Sequence, residues 1–419
     1  MFRNIFWMGS SSAVRLGSNL ALFILIARTL GPEEFGHYMF WYTTTLLCSV
    51  IANYGLGNML LKEIAQHPED VTNTLGQALS LRLFLSAIVL TCAAVAAMLA
   101  DRPELLLVFL FIHFTDILSE TFYSAYRALG FYARETQLAT TAAIVQLILV
   151  VLAVYTHQTT VVIALAHLTG RVIQLILILP STKQALGTFP LHSPRSAFKL
   201  AIRTKAYALD NLLVNTFGNI DNVVLRFFVG VDAVGIYQSG MRLFQGGLNA
   251  IPILSNVFLP AMARHTLCKG KNVRAALALQ LVFLAFGAIF GLIMAYFSSS
   301  IVTLFGEGYS SLDILLPFFG LLFFIRFFAA GWGVILIAEN QQIYRTISTA
   351  IHLLFILTLG SYLTYEFHAL GWLITLILAN IFLAVLYMLR AIREGYAVSA
   401  KISTAVAVAG GLLFIPKIL

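Results

Sequence analysis

Apolar runs of about 20 residues recur along nearly the whole chain, and short polar segments separate them. A helical run of this length crosses a hydrocarbon core of roughly 30 Å. The pattern therefore predicts twelve transmembrane helices, at residues 8–30, 38–60, 77–100, 104–126, 137–155, 160–180, 206–229, 235–261, 276–298, 312–337, 346–365 and 369–389. The tail that follows has an apolar stretch of only about 13 residues, so we expect a short extra span or an interfacial helix there.

Composition agrees with this pattern. The chain has 419 residues, of which 60% are hydrophobic and 11% charged, against roughly 45–50% and 25% in soluble domains. No stretch is left over for a soluble domain. We predict an all-α polytopic membrane protein.

The loop charges predict an orientation. Nearly all loop lysines and arginines fall on one side, whereas the opposite side has only Arg28, Arg102 and Arg226. This asymmetry places the N-terminus in the cytoplasm, with the first span retained. The net charge of +8 is explained by this orientation, and the basic residues form no aromatic-interleaved patch of the kind that binds nucleic acid.

The longest polar break divides the spans into two halves. It contains Pro190 and Pro194 and lies between spans six and seven. We predict an N-lobe at 1–182, a cytoplasmic linker at 183–205, a C-lobe at 206–392 and a tail at 393–419.

One motif occurs once in each predicted lobe. Residues 28–38 read RTLGPEEFGHY and residues 226–237 read RFFVGVDAVGIY, and both contain G-x4-G-x-Y after an arginine. Each follows the first span of its lobe on the same predicted side. Six spans per lobe make this a parallel repeat, an architecture used by alternating-access transporters.

We interpret the motif as a compact hairpin between helices. The glycines Gly31, Gly36, Gly230 and Gly235 permit positive φ, and Pro32 fixes φ for a helix start. These five residues are assigned a structural or gating role. The two glutamates after Pro32 are interpreted as residues of this turn.

Four segments resemble a known family. They are ARTLGPEEFGHY at 27–38, NYGLGNMLLKEIA at 53–65, NIDNVVLRFFVGVDAVGIYQSGMRLFQ at 219–245 and VFLPAMARH at 257–265. Together they are similar to the polysaccharide-flippase branch of the multidrug/oligosaccharidyl-lipid/polysaccharide (MOP) exporter superfamily, which includes Wzx-type O-antigen flippases. Leu225-Arg226 departs from the pattern.

The resemblance implies two six-helix lobes around a central cavity that opens alternately to each side. It also implies transfer of an undecaprenyl-pyrophosphate-linked oligosaccharide, for O-antigen, capsule or exopolysaccharide, from the cytoplasmic to the periplasmic leaflet of the bacterial inner membrane. The polysaccharide polymerase and the chain-length machinery are the partners expected alongside membrane lipid.

Charged residues also fall within the predicted spans. They are the cations Arg15, Arg82, Arg171, Arg242 and Arg326 and the anions Asp116, Glu120, Asp210 and Asp221. A charge at the bilayer centre costs a few kcal/mol or more, so such residues usually face a wet cavity or each other.

Arginine binds phosphate oxygens in a bidentate manner, as a pyrophosphate headgroup requires. We predict that Arg15, Arg171, Arg242 and Arg326 face the substrate. The alternative is structural ion pairing, for instance of Arg171 with Asp116 or of Arg326 with Asp221. Arg82 and Asp210 are assigned to structure or gating.

His113, Asp116 and Glu120 share one predicted helical face, at i, i+3 and i+7. With Asp221 they form our set of candidate counter-ions for the cavity arginines or ion-coupling residues. A metal site is the remaining reading, but no supporting ligands can be named. We therefore predict no metal and no cofactor, with coupling to H⁺ or Na⁺ as an option.

The sequence has no nucleotide-binding G-x4-GK[ST] loop, GxSxG elbow or HExxH motif. We predict a transporter rather than an enzyme. A multidrug or cation antiporter of the same superfamily predicts an anionic cavity, whereas the charges within the spans have a cationic surplus. A glycan-polymerising membrane enzyme would be expected to have a large outer loop. A non-transporting scaffold would be expected to have few charges within its spans.

Overall fold

The computed structural model is helical throughout the part of the chain that it describes. It describes the backbone of residues 2–156, 159–255, 258, 262 and 273–418, and the side chains of these residues except 2–16, 194, 206, 210, 213, 214, 217 and 307. No strand occurs within these ranges. The predicted all-α fold class is confirmed.

We number the helices in chain order. They are α1 Phe2–Asn53, α2 Leu56–Gln66, α3 Val71–Ala96, α4 Pro103–Ala128, α5 Tyr132–Thr156, α6 Thr160–Leu186, α7 Pro194–Phe228, α8 Val231–Leu248, α9 Val273–Tyr296, α10 Ser298–Phe305, α11 Leu312–Ala338, α12 Gln342–Ala391, α13 Ala397–Leu412 and α14 Ile415–Ile418. A π-helical turn, Ile392–Tyr396, joins α12 to α13.

Eight segments of the described chain are long and apolar enough to cross a membrane. Six of them correspond to one predicted span each, and Gly17–Gln66 and Gln342–Ile418 correspond to two each, which accounts for ten of the twelve. The seventh predicted span lies on α7, and the eighth begins on α8, which ends at Leu248. Residues 256, 257 and 259–261, at the end of the eighth predicted span, lie outside the described residues. The protein is a multi-pass membrane protein.

Two predicted loops are sharp breaks within long helices. In α1 the break is at Gly31, with φ 74° and ψ 173°, and Pro32 begins the next helical segment. In α12 the break is at His368, with φ 56° and ψ −140°. Positive φ at Gly31 agrees with the hairpin interpretation, because glycine lacks the Cβ that makes this conformation costly.

In each motif the second glycine differs in structure from the first. Gly230 has φ 124° and precedes α8, as Gly31 precedes its helix. Gly36 and Gly235, in contrast, are helical and buried. The expectation of a turn glycine is therefore wrong at the second position of each motif, where the absent side chain fits a buried helix face instead.

Another break was not predicted. The second predicted span, 38–60, is interrupted at Tyr54 and Gly55, whose φ angles are 51° and 65°. A Cβ on Gly55 would lie 2.2 Å from the backbone oxygen of Tyr207. Glycine is needed here both for the backbone conformation and for the close approach of α7.

The described chain divides into two compact units, unit 1 at Met1–Val223 and unit 2 at Val224–Leu419. The division lies inside α7, whereas the sequence predicted a linker at 183–205. Contacts with α3 attach part of the linker to unit 1. A Cβ on Gly76 would lie 2.0 Å from the Pro190 carbonyl oxygen, and the His192 backbone N–H donates to Ser80 Oγ at 2.7 Å.

Unit 2 contains a contact between two helices at backbone distance. A Cβ on Gly291 of α9 would lie 2.5 Å from the carbonyl oxygen of Gly320 on α11, and the converse distance is 2.3 Å. Small residues let membrane helices approach in this way. The fully buried Phe414 packs beside both glycines, at 2.9 Å and 3.3 Å from their hypothetical Cβ atoms.

The C-terminal tail is part of unit 2. After the π-helical turn, where Gly395 has φ 98°, α13 buries Ser399 and Ser403 completely. The Ser399 hydroxyl donates to the Val273 carbonyl at 3.0 Å. The tail therefore forms a helix packed on its own unit.

Candidate functional site

A group of polar side chains lies between α1, α4 and α6 of unit 1. We call it the α4–α6 polar cluster, and its members are Tyr38, Tyr42, His113, Asp116, His167, Arg171 and Gln174. Helical spacing explains the arrangement, because His113 and Asp116 are three residues apart on α4 and His167 and Arg171 four apart on α6.

The ion pair of this cluster joins two of the predicted residues. Nη1 of Arg171 donates to Oδ1 of Asp116 at 3.1 Å and to Oε1 of Gln174 at 3.0 Å. The Arg171 side chain is 16% exposed and the Asp116 side chain 46% exposed. The cation is thus held inside the helix bundle, while its carboxylate partner keeps an open side.

Two histidines of the cluster are buried and hydrogen-bonded. The Tyr38 hydroxyl and Nδ1 of His167 share a hydrogen bond of 2.7 Å. Nε2 of His113 lies 2.9 Å from the Tyr42 carbonyl oxygen, so this nitrogen carries a proton. The Tyr42 ring contacts the rings of His113 and His167, with centroids at 4.7 and 6.0 Å.

Glu120 does not share these contacts. It pairs with Arg127 on its own helix, and Arg127 also lies 3.6 Å from Glu135 of α5. The predicted face of His113, Asp116 and Glu120 therefore leads to three different partners. Among the described residues, no group of three or more His, Cys, Asp or Glu side chains could hold a metal ion.

Arg82 is fully buried on α3 and has neutral hydrogen-bonding partners. Nη1 donates to the Ile117 carbonyl at 2.8 Å and to the Thr121 hydroxyl, and Nη2 donates to Oδ1 of Asn53 at 2.8 Å. The guanidinium thus connects the end of α1 to the middle of α4. This geometry suits the structural role assigned to Arg82.

Arg326 lies near the middle of α11 and is half-buried. Its Nη1 donates to Oδ1 of Asn380 on α12 at 3.0 Å. No carboxylate of the described part of the chain lies within 4.0 Å of this guanidinium. Arg326 therefore differs from Arg171, since its cationic charge has no ion-pair partner there.

The other predicted residues fall in different places. Arg242 is half-buried on α8. Asp221 is buried in unit 1, where its Oδ1 accepts the Asn222 backbone N–H at 2.9 Å, and it belongs to a different unit from Arg326. The side chains of Arg15 and Asp210 lie outside the described residues.

One of the glutamates of the first hairpin stabilises it through side-chain hydrogen bonds. Glu34 accepts a hydrogen bond from Nη2 of Arg102 at 2.6 Å and another from the Thr160 hydroxyl. Burial in this turn raises the pKa of Glu34, but the Thr160 hydrogen bond and the Arg102 charge outweigh it, so the pKa lies below its ordinary value. Glu34 is a structural anchor of the turn.

Sequence reasoning missed five members of these arrangements, namely Tyr38, Tyr42, His167, Gln174 and Asn380. His167 could have been found from its position one turn before Arg171. Tyr38 was noted only as part of the repeat motif. Asn380 gives no signal, because a single amide in an apolar span has no local pattern.

A family comparison now adds to this geometry. Residues 1–266 match the model of a family described as polysaccharide biosynthesis protein. The chain belongs to this family. The match covers unit 1 and the start of unit 2, including the α4–α6 polar cluster. A comparison with curated proteins gave no match.

Solved structures show the same fold at low identity. The lipid II flippase MurJ in an inward closed conformation gives a TM-score of 0.68 at 13% identity, covering 98% of this chain and 97% of that one. An inward-facing multidrug resistance MATE family transporter of the MOP superfamily gives 0.66 at 15%, covering 96% and 98%. A MOP superfamily transporter from Pyrococcus furiosus gives 0.62 at 17%, covering 96% and 94%. This member of the family thus has the fold of MOP superfamily transporters.

Proposed function

We propose that this protein is a flippase for an undecaprenyl-pyrophosphate-linked oligosaccharide. It moves the repeat unit of an O-antigen, capsule or exopolysaccharide from the cytoplasmic to the periplasmic leaflet of the bacterial inner membrane by alternating access. The N-terminus lies in the cytoplasm, and the product goes to a polymerase and chain-length machinery. An H⁺ or Na⁺ gradient, or the gradient of the substrate itself, drives the cycle.

The observation that carries the proposal is the environment of Arg326. A guanidinium within a membrane span costs roughly 2.5–3.5 kcal/mol or more. In the described residues the hydrogen-bond partner of this charge is the neutral amide oxygen of Asn380. A phosphate group would supply the missing anion, and the planar guanidinium can bind two of its oxygens.

The α4–α6 polar cluster contains a second candidate cation for substrate binding. The Arg171 guanidinium is already paired with Asp116, and this carboxylate is the more exposed partner. An entering anion competes with Asp116 for Arg171. In this proposal Asp116 is the counter-ion of Arg171.

A multidrug or cation antiporter is the second candidate, because Asp116 offers an exposed carboxylate in a chain with the MOP fold. A cationic drug would bind Asp116, whereas a substrate that carries phosphate would bind Arg326. The two candidates thus differ in which residue is essential.

The test uses a deletion strain complemented with wild type, Arg326→Ala, Arg326→Lys or Arg274→Ala. Arg274 is exposed at the start of α9 and serves as the matched control. Surface polysaccharide, lipid-linked repeat unit and membrane protein level are measured together. We expect Arg326→Ala to lose polymer and accumulate the lipid-linked unit at normal protein level, Arg326→Lys to retain part of the activity, and the control to match wild type.

Normal polymer in the deletion strain would reject the flippase. If drug resistance then depends on Asp116 and is unaffected by Arg326→Ala, the antiporter is the function.

A further inference from the structure

A groove of about 680 Å³ lies between the end of α12 and α13 in unit 2. Met388 and Ile392 form one wall, and Lys401, Ala405 and Leu412 are among the α13 residues that form the other. The lining residues of α13 recur every three or four positions, so they occupy one face of that helix. Several are alanines, which leaves the groove open between the two helices.

The interior of the groove is apolar. Its one hydroxyl, that of Thr404, is directed to the sulfur of Met388 in the opposite wall at 3.1 Å. The distance along α13 from Lys401 to Leu412 is about 17 Å, at 1.5 Å per residue. One leaflet of a hydrocarbon core is roughly 15 Å thick. The α13 wall therefore has the length of one acyl chain in a single leaflet, and the opposite wall, Met388 and Ile392, covers part of it.

Cationic side chains mark one end of the groove. Lys401 lines it and is exposed, and Arg393 is exposed beside the lining residue Ile392. Neither cation has an ion pair or side-chain hydrogen bond within the described part of the chain. The nearby carboxylate of Glu394 is paired with Arg390 at 3.1 Å. The groove thus joins an apolar channel to the uncompensated charge of Lys401, and Arg393 follows the lining residue Ile392 in the chain.

We propose that the α12–α13 groove binds an anionic phospholipid. One acyl chain lies in the groove, and Lys401, with Arg393 beside it, holds the phosphate. Basic pockets between membrane helices bind anionic headgroups in this way. The site belongs to unit 2 alone and does not depend on the proposed transport function.

Native mass spectrometry of the full chain in detergent tests this proposal, with phosphatidylglycerol and phosphatidylcholine of identical acyl chains as probes. Lys401→Gln removes the cation, and Ala405→Trp fills the groove. The controls are Lys199→Gln, an exposed lysine of α7, and Val406→Trp, whose wild-type side chain is 41% exposed and lies outside the groove.

We expect wild type to bind phosphatidylglycerol more tightly than phosphatidylcholine. Lys401→Gln should weaken phosphatidylglycerol binding about fivefold, Ala405→Trp should abolish the preference, and both controls should match wild type. If Ala405→Trp fails to fold, Ala409→Leu fills the same groove with a smaller side chain.

Equal binding of the two lipids by wild type would overturn the proposal. An equal loss in Val406→Trp and Ala405→Trp would also overturn it, since the groove would then be no different from any lipid-facing surface. Displacement of phosphatidylglycerol by undecaprenyl phosphate at equimolar concentration would assign the groove to a polyprenyl chain instead.

Discussion

Replacing Arg82 by lysine should destabilise unit 1 more than replacing it by methionine, although lysine retains the charge. Arg82 is fully buried and its planar fork donates to Ile117, Thr121 and Asn53 together. The lysine ammonium is a compact point charge and cannot reach all three acceptors in this geometry. Lysine therefore leaves a buried charge with fewer hydrogen bonds.

The magnitude follows from these contacts. A hydrogen bond to a charged group contributes roughly 1.5–3 kcal/mol, so the loss of one in Arg82→Lys costs about that much. Methionine loses all three, but it also removes the penalty of several kcal/mol for burying an ion. The Thr121 hydroxyl still donates to the Ile117 carbonyl at 3.0 Å, so the Asn53 amide oxygen is the acceptor that is left without this compensation. We expect Arg82→Met to remain within about 1 kcal/mol of wild type.

Thermal unfolding in detergent provides the assay, with Lys62→Met, an exposed lysine of α2, as the control for charge removal. At about 2–4 °C per kcal/mol for a domain of this size, Arg82→Lys should lower Tm by roughly 3–12 °C. A larger loss in Arg82→Met than in Arg82→Lys would refute the reasoning. Wild-type Tm with abolished transport in both variants would instead show that Arg82 acts in gating.

Three further predictions concern other contacts. Asp116→Asn and Arg171→Gln should each reduce polymer display, and the double variant should lose less than the sum of the two, because the residues form one pair; a fully additive loss contradicts the pairing. Gly371→Ala should lower Tm, with a cost of roughly 1–3 kcal/mol, because its Cβ would lie 1.9 Å from a backbone oxygen. Gly411→Ala, with nothing within 4 Å, should raise stability by about 0.5–1 kcal/mol, and equal Tm shifts would contradict this steric argument. The folded-state pKa of Glu34 lies below its ordinary value of 4.5, so the stabilisation by the Glu34 carboxylate is present at neutral pH and is lost as pH falls through and below 4.5. The Tm advantage of wild type over Glu34→Gln should therefore shrink in acid. A Tm difference that is the same at all pH values would contradict this prediction.

The length of the apolar runs was sufficient to predict the helical fold. The break near His368 falls between the predicted spans at 346–365 and 369–389, because polar residues interrupt the apolar run there. The break at Tyr54 and Gly55 lies inside a predicted span. Hydropathy does not detect it, since its cause is the approach of α7, a tertiary contact.

The residue types of the candidate site could be predicted better than the partner of each side chain. Arg171 and Asp116 were considered as partners because both interrupt apolar helices, and they are paired in unit 1. Arg326 was considered as a partner of Asp221, but its hydrogen-bonding partner is Asn380. Side-chain pairing between distant helices depends on helix rotation, and one chain's sequence does not specify that rotation at the required accuracy.

The glycine contact between α9 and α11 has a consequence for thermal behaviour. Gly291 and Gly320 meet at backbone distance with Phe414 beside them. Inside a bilayer such a contact is held by dispersion forces, since no water is released when it forms. The hydrophobic effect weakens on cooling because burial of apolar surface has a large heat-capacity change. A contact held by dispersion forces does not weaken on cooling for this reason. This pair of helices should therefore stay together at low temperatures that loosen water-exposed parts of the same chain.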